Sequence, residues 1–191
     1  MLKPMKFGIL LAGLGLSAAP ALAFLAGAPA QETAKVGATI PAFTAVATSW
    51  VDSNAVKVPT AYMIIGVNCG ATPGYEKRFK AVEDEFRSKG VDFFWVFPNK
   101  TETLEAKQAW MRKLDLKGPM IDDVGGKITQ ALECKQTAQV VLTDKGGKIV
   151  FRGGIDDNRS ESGVTHRYLA DAIQATLAGK PVEVTSARAF G

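Results

Sequence analysis

Two cysteines, Cys69 and Cys134, and a single histidine, His166, carry the most versatile side chains of this chain. Cys69 stands in VNCGATPGYEKRF, Val67 to Phe79, between an apolar run and a segment with helical spacing. A thiol attacks a disulfide or a peroxide as the thiolate, and a free thiol with a pKa of about 8.5 is only about 3% ionised at pH 7. The first turn of a helix shifts that balance, through unpaired backbone N–H groups and the positive end of the helix dipole. Gly70 and Ala71 are small and leave the sulfur approachable. Thr72, one helical turn on, has a hydroxyl that can donate to the sulfur. A hydroxyl cannot resolve a mixed disulfide, so that step needs another thiol, and Cys134 is the only other one in the chain. Cys134 follows Leu132 at the end of a short helical stretch, where a plain buried cysteine fits equally well.

The remaining polar candidates read more simply. One histidine cannot complete a Cys/His metal cage, so no metal or other cofactor is expected, and His166 is expected in solvent at the start of the last helix. Asp156-Asp157 in GGIDDNR reads as a turn cap pairing with Arg152 or Arg159. Asp122-Asp123, ahead of Val124-Gly125-Gly126, reads as a cap or turn. Gly125-Gly126 and Gly153-Gly154 lack the spacing of a phosphate loop. Trp95 and Trp110 are expected in the core. Glu76, Lys77 and Arg78 read as the wet face of the helix after Cys69, with Lys77 or Arg78 available to support a thiolate.

The elements that position these residues begin after a segment to set aside. MLKPMKFGILLAGLGLSAAPALAFLAGAPA, residues 1–30, has basic Lys3 and Lys6, an apolar stretch and small residues at its end, the layout of a secretory signal peptide. Cleavage is expected after Ala30, with Ala23 as the competing site and an uncleaved anchor as the other reading. Removing residues 1–30 takes away two lysines and no acid, so the formal charge falls from +4 to +2. No cluster of Lys and Arg interleaved with aromatics gives nucleic-acid binding an electrostatic basis. Membrane contact is expected only through the signal segment. Residues 31–191 are read as one domain, large enough to bury a core without staples.

In that domain Phe43, Val46, Trp50 and Val51 suggest short extended pieces along an edge. AYMIIGV, Ala61 to Val67, is a continuous apolar run, as a strand buried on both faces requires. Thr72-Pro73 can cap and open a helix in which Tyr75, Phe79, Val82 and Phe86 recur on one face, ending at Gly90. VDFFWVF, Val91 to Phe97, predicts a second buried strand. Asn99 can cap a helix with Glu102 three residues on and Leu104, Trp110, Met111 and Leu114 inward. A short strand over 119–121 and a short helix over 127–133 follow. Gln139 to Asp144 and Lys148 to Arg152 predict a hairpin. The last helix is expected from Thr165 to Gly179, burying Leu169, Ala172, Ile173 and Leu177. The order predicts an α/β fold, a central mixed β-sheet with helices on both faces.

This order, with a cysteine between the first buried strand and its helix, resembles the thioredoxin-like fold, and in detail the exported redoxin-domain proteins of the AhpC/TSA-like and TlpA-like group. VGATIPAF, Val36 to Phe43, resembles their entry segment. NCGATPGY keeps their spacing of a Cys, here Cys69, and a Tyr six residues later, here Tyr75. FRGGIDDNR and VTHRYLADAIQATLAGKPVEVTSARAFG resemble the end of exported members very closely. The resemblance spans nearly the whole of residues 31–191. It implies a periplasmic or secreted bacterial protein acting in thiol–disulfide exchange or peroxide reduction, with Cys69 attacking, Thr72 assisting and Cys134 resolving. It implies as partners a protein disulfide or a peroxide, and an extracytoplasmic electron donor. In that fold the loop reached by Cys134 lies against the active-site cysteine, so the resemblance also admits a Cys69–Cys134 bond. That bond would close a loop of about 66 residues, worth on the order of 4 kcal/mol in the chain-entropy model. The other reading is a redox-inactive binding module of the same fold, with a structural disulfide or none.

Three positions depart from the family pattern. The Cys-x-x-Cys of a dithiol oxidoreductase is Cys69-Gly70-Ala71-Thr72. The Thr or Ser three residues before a peroxiredoxin cysteine, and the Pro four residues earlier, are Gly66 and Tyr62. The cis-proline before the strand QVVLTD is Ala138. A cis bond at a non-proline residue costs roughly 3 kcal/mol, so a trans peptide and an altered loop are expected there.

Overall fold

A computed structural model of the chain describes residues 35–40 and 57–191, and the backbone of residues 44–46 and 50–52. The expected signal segment, both of its cleavage sites and Phe43 lie outside the described residues. The elements run β1 (Thr44–Val46), β2 (Trp50–Asp52), β3 (Thr60–Ile64), α1 (Thr72–Arg87), β4 (Asp92–Phe97), α2 (Leu104–Lys113), β5 (Met120–Asp122), α3 (Lys127–Ala131), β6 (Gln139–Thr143), β7 (Ile149–Gly153), a 3-10 turn (Glu161–Gly163) and α4 (Tyr168–Leu177).

Five strands form one mixed sheet in the order β5-β4-β3-β6-β7. The neighbours β3, β4 and β5 are parallel, whereas β6 is antiparallel to both β3 and β7. The short strands β1 and β2 pair antiparallel in a separate ladder. Every residue of β3 is buried, as its unbroken apolar sequence requires. Its side chains alternate between two cores. Ala61 and Met63 face α1, Trp110 of α2 and α4, while Tyr62 and Ile64 face Ile128 of α3, Leu132 and Ile40. Helices therefore cover both faces, as in the thioredoxin-like fold.

The spacing of Tyr75, Phe79, Val82 and Phe86 lays one face of α1 on the sheet, and all four are buried. Phe79 is the hub, with ring centroids 5.6 Å from Tyr75, 5.9 Å from Trp95 and 6.4 Å from Trp110. Aromatic pairs of this kind add about 0.5–1.5 kcal/mol each beyond their buried area, and they fix how far α1, and so its N-terminus, stands from β4. Gly90, at φ +85, closes the chain after the helix in a conformation that favours glycine.

Several boundaries differ from the sequence expectation. The cap of α2 is Thr103, whose hydroxyl accepts from the Ala106 N–H, and not Asn99. Leu104 is consequently at the first position of the helix and exposed rather than inward. Helix α4 begins at Tyr168 and not Thr165, because Thr165 is held outside the helix by Asp157. Leu177, at the last turn of α4, is 38% exposed rather than core. Ala138 meets the expected altered loop: it has φ +55, and no peptide bond among the described residues is cis.

Candidate functional site

The site forms where β3 hands over to α1. After β3, Ile65 still donates to the Val96 carbonyl, and the chain then turns. The Gly66 carbonyl accepts from the Cys69 N–H at 3.2 Å, and the Cys69 carbonyl accepts from the Thr72 N–H at 3.0 Å. The Thr72 hydroxyl donates to the Gly66 carbonyl at 2.6 Å, tying the first residue of α1 back to the strand end. This corrects the expected cap. Thr72 lies inside the helix, the capping position belongs to Ala71, and no side chain caps it.

Two other loops press on this turn. A Cβ at Gly66 would lie 2.7 Å from Asn99 Nδ2, 2.8 Å from Thr137 Cγ2 and 3.4 Å from Cys69 Cβ, so no side chain fits there without displacing them. Gly66 is thus a close-approach glycine: residues 99 and 137 pack on the turn that leads to the cysteine because residue 66 has no side chain. Behind them lies Glu102, buried, whose Oε1 accepts from the Asn68 N–H at 3.0 Å and from Asn99 Nδ2 at 2.8 Å. One carboxylate oxygen therefore holds both the residue before Cys69 and the residue packed on Gly66.

Cys69 is half-buried and free. Partial burial, the largest single influence on its thiol, favours the neutral form. Hydrogen bonds from the Thr137 side chain, the Ala71 and Thr72 N–H groups and the Thr72 side chain together outweigh it, and the thiol ionises below the range of a free cysteine. The Thr72 side chain is the last of these influences, and its single hydroxyl proton is donated to the Gly66 carbonyl. The first turn of α1 holds no acid that would oppose a thiolate.

Cys134 is half-buried in a different setting. It packs against the core on the far face of the sheet from α1, the cluster that holds Ile64, Ile128 and Leu132. Its thiol sits 3.6 Å from the Leu132 carbonyl, and burial pushes its pKa up to about 12 despite the nearby Arg152 charge. Both cysteines are free thiols in the structure.

The charged residues flanking Cys69 are not all wet. Arg78 is stacked 4.0 Å over the Tyr75 ring and bonds Asp156 at 2.5 Å and the carbonyls of Gly74, Asn158 and Arg159. It clamps α1 to the 156–159 loop. Glu76 accepts from Trp110 Nε1 and Lys113. Lys77 alone is fully in solvent, with a long 3.7 Å contact to Glu161. Asp156 therefore pairs with Arg78 and not with Arg152 or Arg159, because Arg152 reaches inward to the Leu132 and Glu133 carbonyls. Asp157 accepts from Thr165 and from His166, which is exposed and stacked on Tyr168. Those bonds hold the Asp157 carboxyl well below the usual range. Asp123 caps α3 through the Ile128 and Thr129 N–H groups, as its position before Val124-Gly125-Gly126 suggests. Asp122 instead holds the buried ammonium of Lys107 at 2.6 Å. Among the described residues no group of three or more His, Cys, Asp or Glu side chains is placed to hold a metal ion.

Thr137, Asn99 and Glu102 are site residues that spacing along the chain does not reveal. The available signal for Thr137 was its place beside Ala138, where the fold brings a loop against the cysteine.

The chain matches the Redoxin family over residues 35–168. It is a member of the Redoxin family. Among solved structures, this redoxin is similar to an uncharacterised conserved protein from Geobacillus kaustophilus, with 22% identity and a TM-score of 0.72 over 80% of this chain and 88% of the other. It is similar to the thioredoxin domain of a thiol-disulfide oxidoreductase from Bacteroides vulgatus, with 15% identity and a TM-score of 0.54 over 62% and 87%. It is also similar to a secreted disulfide oxidoreductase of Mycobacterium tuberculosis described as homologous to E. coli DsbE, with 14% identity and a TM-score of 0.56 over 70% and 95%. These likenesses establish the thioredoxin-like fold of the redoxin. None of the curated proteins compared matches it.

Proposed function

We propose that this redoxin is an exported thiol–disulfide exchange protein whose attacking group is Cys69. The observation that carries the reading is the half-exposed Cys69 thiol at the N-terminus of α1, held ready to ionise by the Thr137 side chain and two backbone N–H groups. The thiolate attacks one sulfur of a substrate disulfide. A bond forms from Cys69 Sγ to that sulfur, the substrate S–S bond breaks, and the second substrate sulfur leaves as a thiolate. A second thiol then attacks the mixed disulfide, releasing Cys69 and oxidising itself. Cys134 is an unfavourable candidate for that second thiol, since burial keeps it protonated and it packs on the opposite core. In this reading the resolving thiol comes from the partner or an external donor. Disulfide exchange is preferred over peroxide reduction because Gly66 stands where a peroxiredoxin has a hydroxyl residue, and Asn99 and Thr137 leave no room for one. Export rests on the signal-like residues 1–30.

The test is reduction or exchange of a chromogenic aryl disulfide by the purified protein, with C69S and C134S variants. Release of one aryl thiolate per chain, lost in C69S and kept in C134S, supports the reading. Release of a second aryl thiolate per chain by the wild-type protein, cut to one in C134S, assigns resolution to Cys134. No reaction of the wild-type protein leaves the fold as a redox-inactive binding module.

A further inference from the structure

A basic groove of about 680 Å³ opens beside the thiol site. Its walls carry five cationic side chains, Lys35, Lys135, Arg152, Arg159 and Arg188, against one acidic side chain, Glu133. Four of them, Lys35, Lys135, Arg159 and Arg188, are exposed and make no ion pair with the described residues. Arg188 is instead spread 5.2 Å over the Phe190 ring. Arg152, half-buried, is anchored at the base by the Leu132 and Glu133 carbonyls.

The C-terminal tail builds one wall. Thr185 accepts from the Arg152 N–H and Ala187 donates to the Arg152 carbonyl, so the tail runs beside β7. The Gln136 side chain then fastens it through the Ala189 carbonyl at 2.6 Å. Gly191 ends against Thr137, so closely that any side chain there would collide with the Thr137 carbonyl. Thr137 is the residue whose side chain most favours the Cys69 thiolate. Arg159, which also lines the groove, reaches the helix that follows the thiol, because its carbonyl lies against Gly74 in the first turn of α1 and accepts from Arg78. The groove thus adjoins the thiol site through Gly191 and Thr137, and the first turn of α1 through Arg159.

We infer that this groove docks an acidic polypeptide segment that presents its disulfide to Cys69. The groove is open to solvent and its charge is one-sided, so its attraction is long-range: it raises the encounter rate for acidic chains and lowers it for basic ones. An acidic segment also completes the pairing that the four exposed cations lack. This assignment rests on the exchange reading above for its redox half, and on the groove alone for its binding half.

The experiment uses the full chain and three peptides of equal length, rich in Glu, Ser or Lys, each carrying one cysteine joined to a chromogenic thiol. The rate of thiol release is followed at low and at physiological salt. The expected result is a Glu-to-Lys rate ratio of about tenfold or more at low salt, shrinking as salt screens it and abolished by combining K135E, R159E and R188E. A ratio near one overturns the docking assignment, whatever the absolute rates. Fluorescence anisotropy of a cysteine-free Glu peptide separates the two halves. Binding to the wild-type protein, lost in the triple variant, supports the groove even if no peptide exchanges, which would fault only the redox reading. Competition by inorganic phosphate as effective as that by the peptide at matched ionic strength overturns it, since the groove would then be a general anion surface. Circular dichroism confirms that the triple variant is folded.

Discussion

The Thr137 side chain and Cys69 both border the gap left by Gly66, which brings together two residues that are 68 positions apart in the chain. The Thr137 side chain is the leading influence among those that favour the Cys69 thiolate. Replacing Thr137 with Val keeps the shape and removes the donor. The Cys69 titration, followed by thiolate absorbance near 240 nm, is expected to move upward toward that of a free thiol in T137V. An unchanged titration would assign the shift to the α1 backbone alone.

Thr72 makes a contrasting case. Its hydroxyl is spent mainly on the Gly66 carbonyl. Thr72→Val is therefore expected to cost about 1 kcal/mol of stability, read by urea unfolding, while moving the Cys69 titration less than T137V does. A larger titration shift in T72V than in T137V would reverse the roles assigned to the two hydroxyls.

Restoring a side chain at Gly66 should harm the site. Gly66→Ala puts a methyl 2.7 Å from Asn99 Nδ2 and 2.8 Å from Thr137 Cγ2, and both side chains must shift to admit it. Overpacking of this kind costs about 1–3 kcal/mol, and the loss of Thr137 from the sulfur should raise the Cys69 titration as well. Unfolding and titration measured on the same variant check both effects.

Much of this fold is legible in the chain. The unbroken run at Ala61–Ile64 gives the central strand, and the three- and four-residue steps from Tyr75 to Phe86 give α1 and its buried face. What is not legible depends on partners distant in sequence. Glu83 sits among polar helix residues yet is fully buried, because Trp95, Lys117 and Gly118 converge on its carboxylate. Glu102 and Lys107 are buried for the same kind of reason. Cys69 could be located from the strand-to-helix step alone. Thr137 could not, because only the β3–β6 pairing, which also sets the Ala138 N–H on the Ile64 carbonyl, brings the loop to it.

The Lys107–Asp122 pair has an asymmetric energetic signature. Lys107 is wholly buried, whereas the Asp122 side chain is about one-third exposed. Asp122→Ala leaves an ammonium in the interior without its partner and is expected to cost about 2–3 kcal/mol, water at the exposed side offsetting part of the full penalty. Lys107→Met removes the charge and keeps the packing, and should cost less. Chemical unfolding of both variants gives the comparison, and an inverted order would contradict the pairing.

Cys134 predicts an alkaline weakness. Its folded pKa is raised, so its contribution to stability is complete below the unfolded value of about 8.5. The contribution is lost as pH climbs toward about 12, because the unfolded chain releases the proton first. Unfolding midpoints of the wild-type protein and of Cys134→Ala, compared between pH 8 and 10, should show the steeper decline in the wild type. Parallel curves would mean that Cys134 is not buried as described.

The central claim is that folding activates Cys69 and silences Cys134. The most direct measurement is the pH dependence of iodoacetamide labelling of each cysteine, resolved by mass spectrometry, in the folded chain and in urea. The prediction is a Cys69 labelling midpoint lower in the folded chain than in the unfolded one, with Cys134 labelled only after unfolding. A Cys69 midpoint that folding leaves unchanged or raises, or a Cys134 that labels as fast as Cys69 in the folded chain, would contradict it.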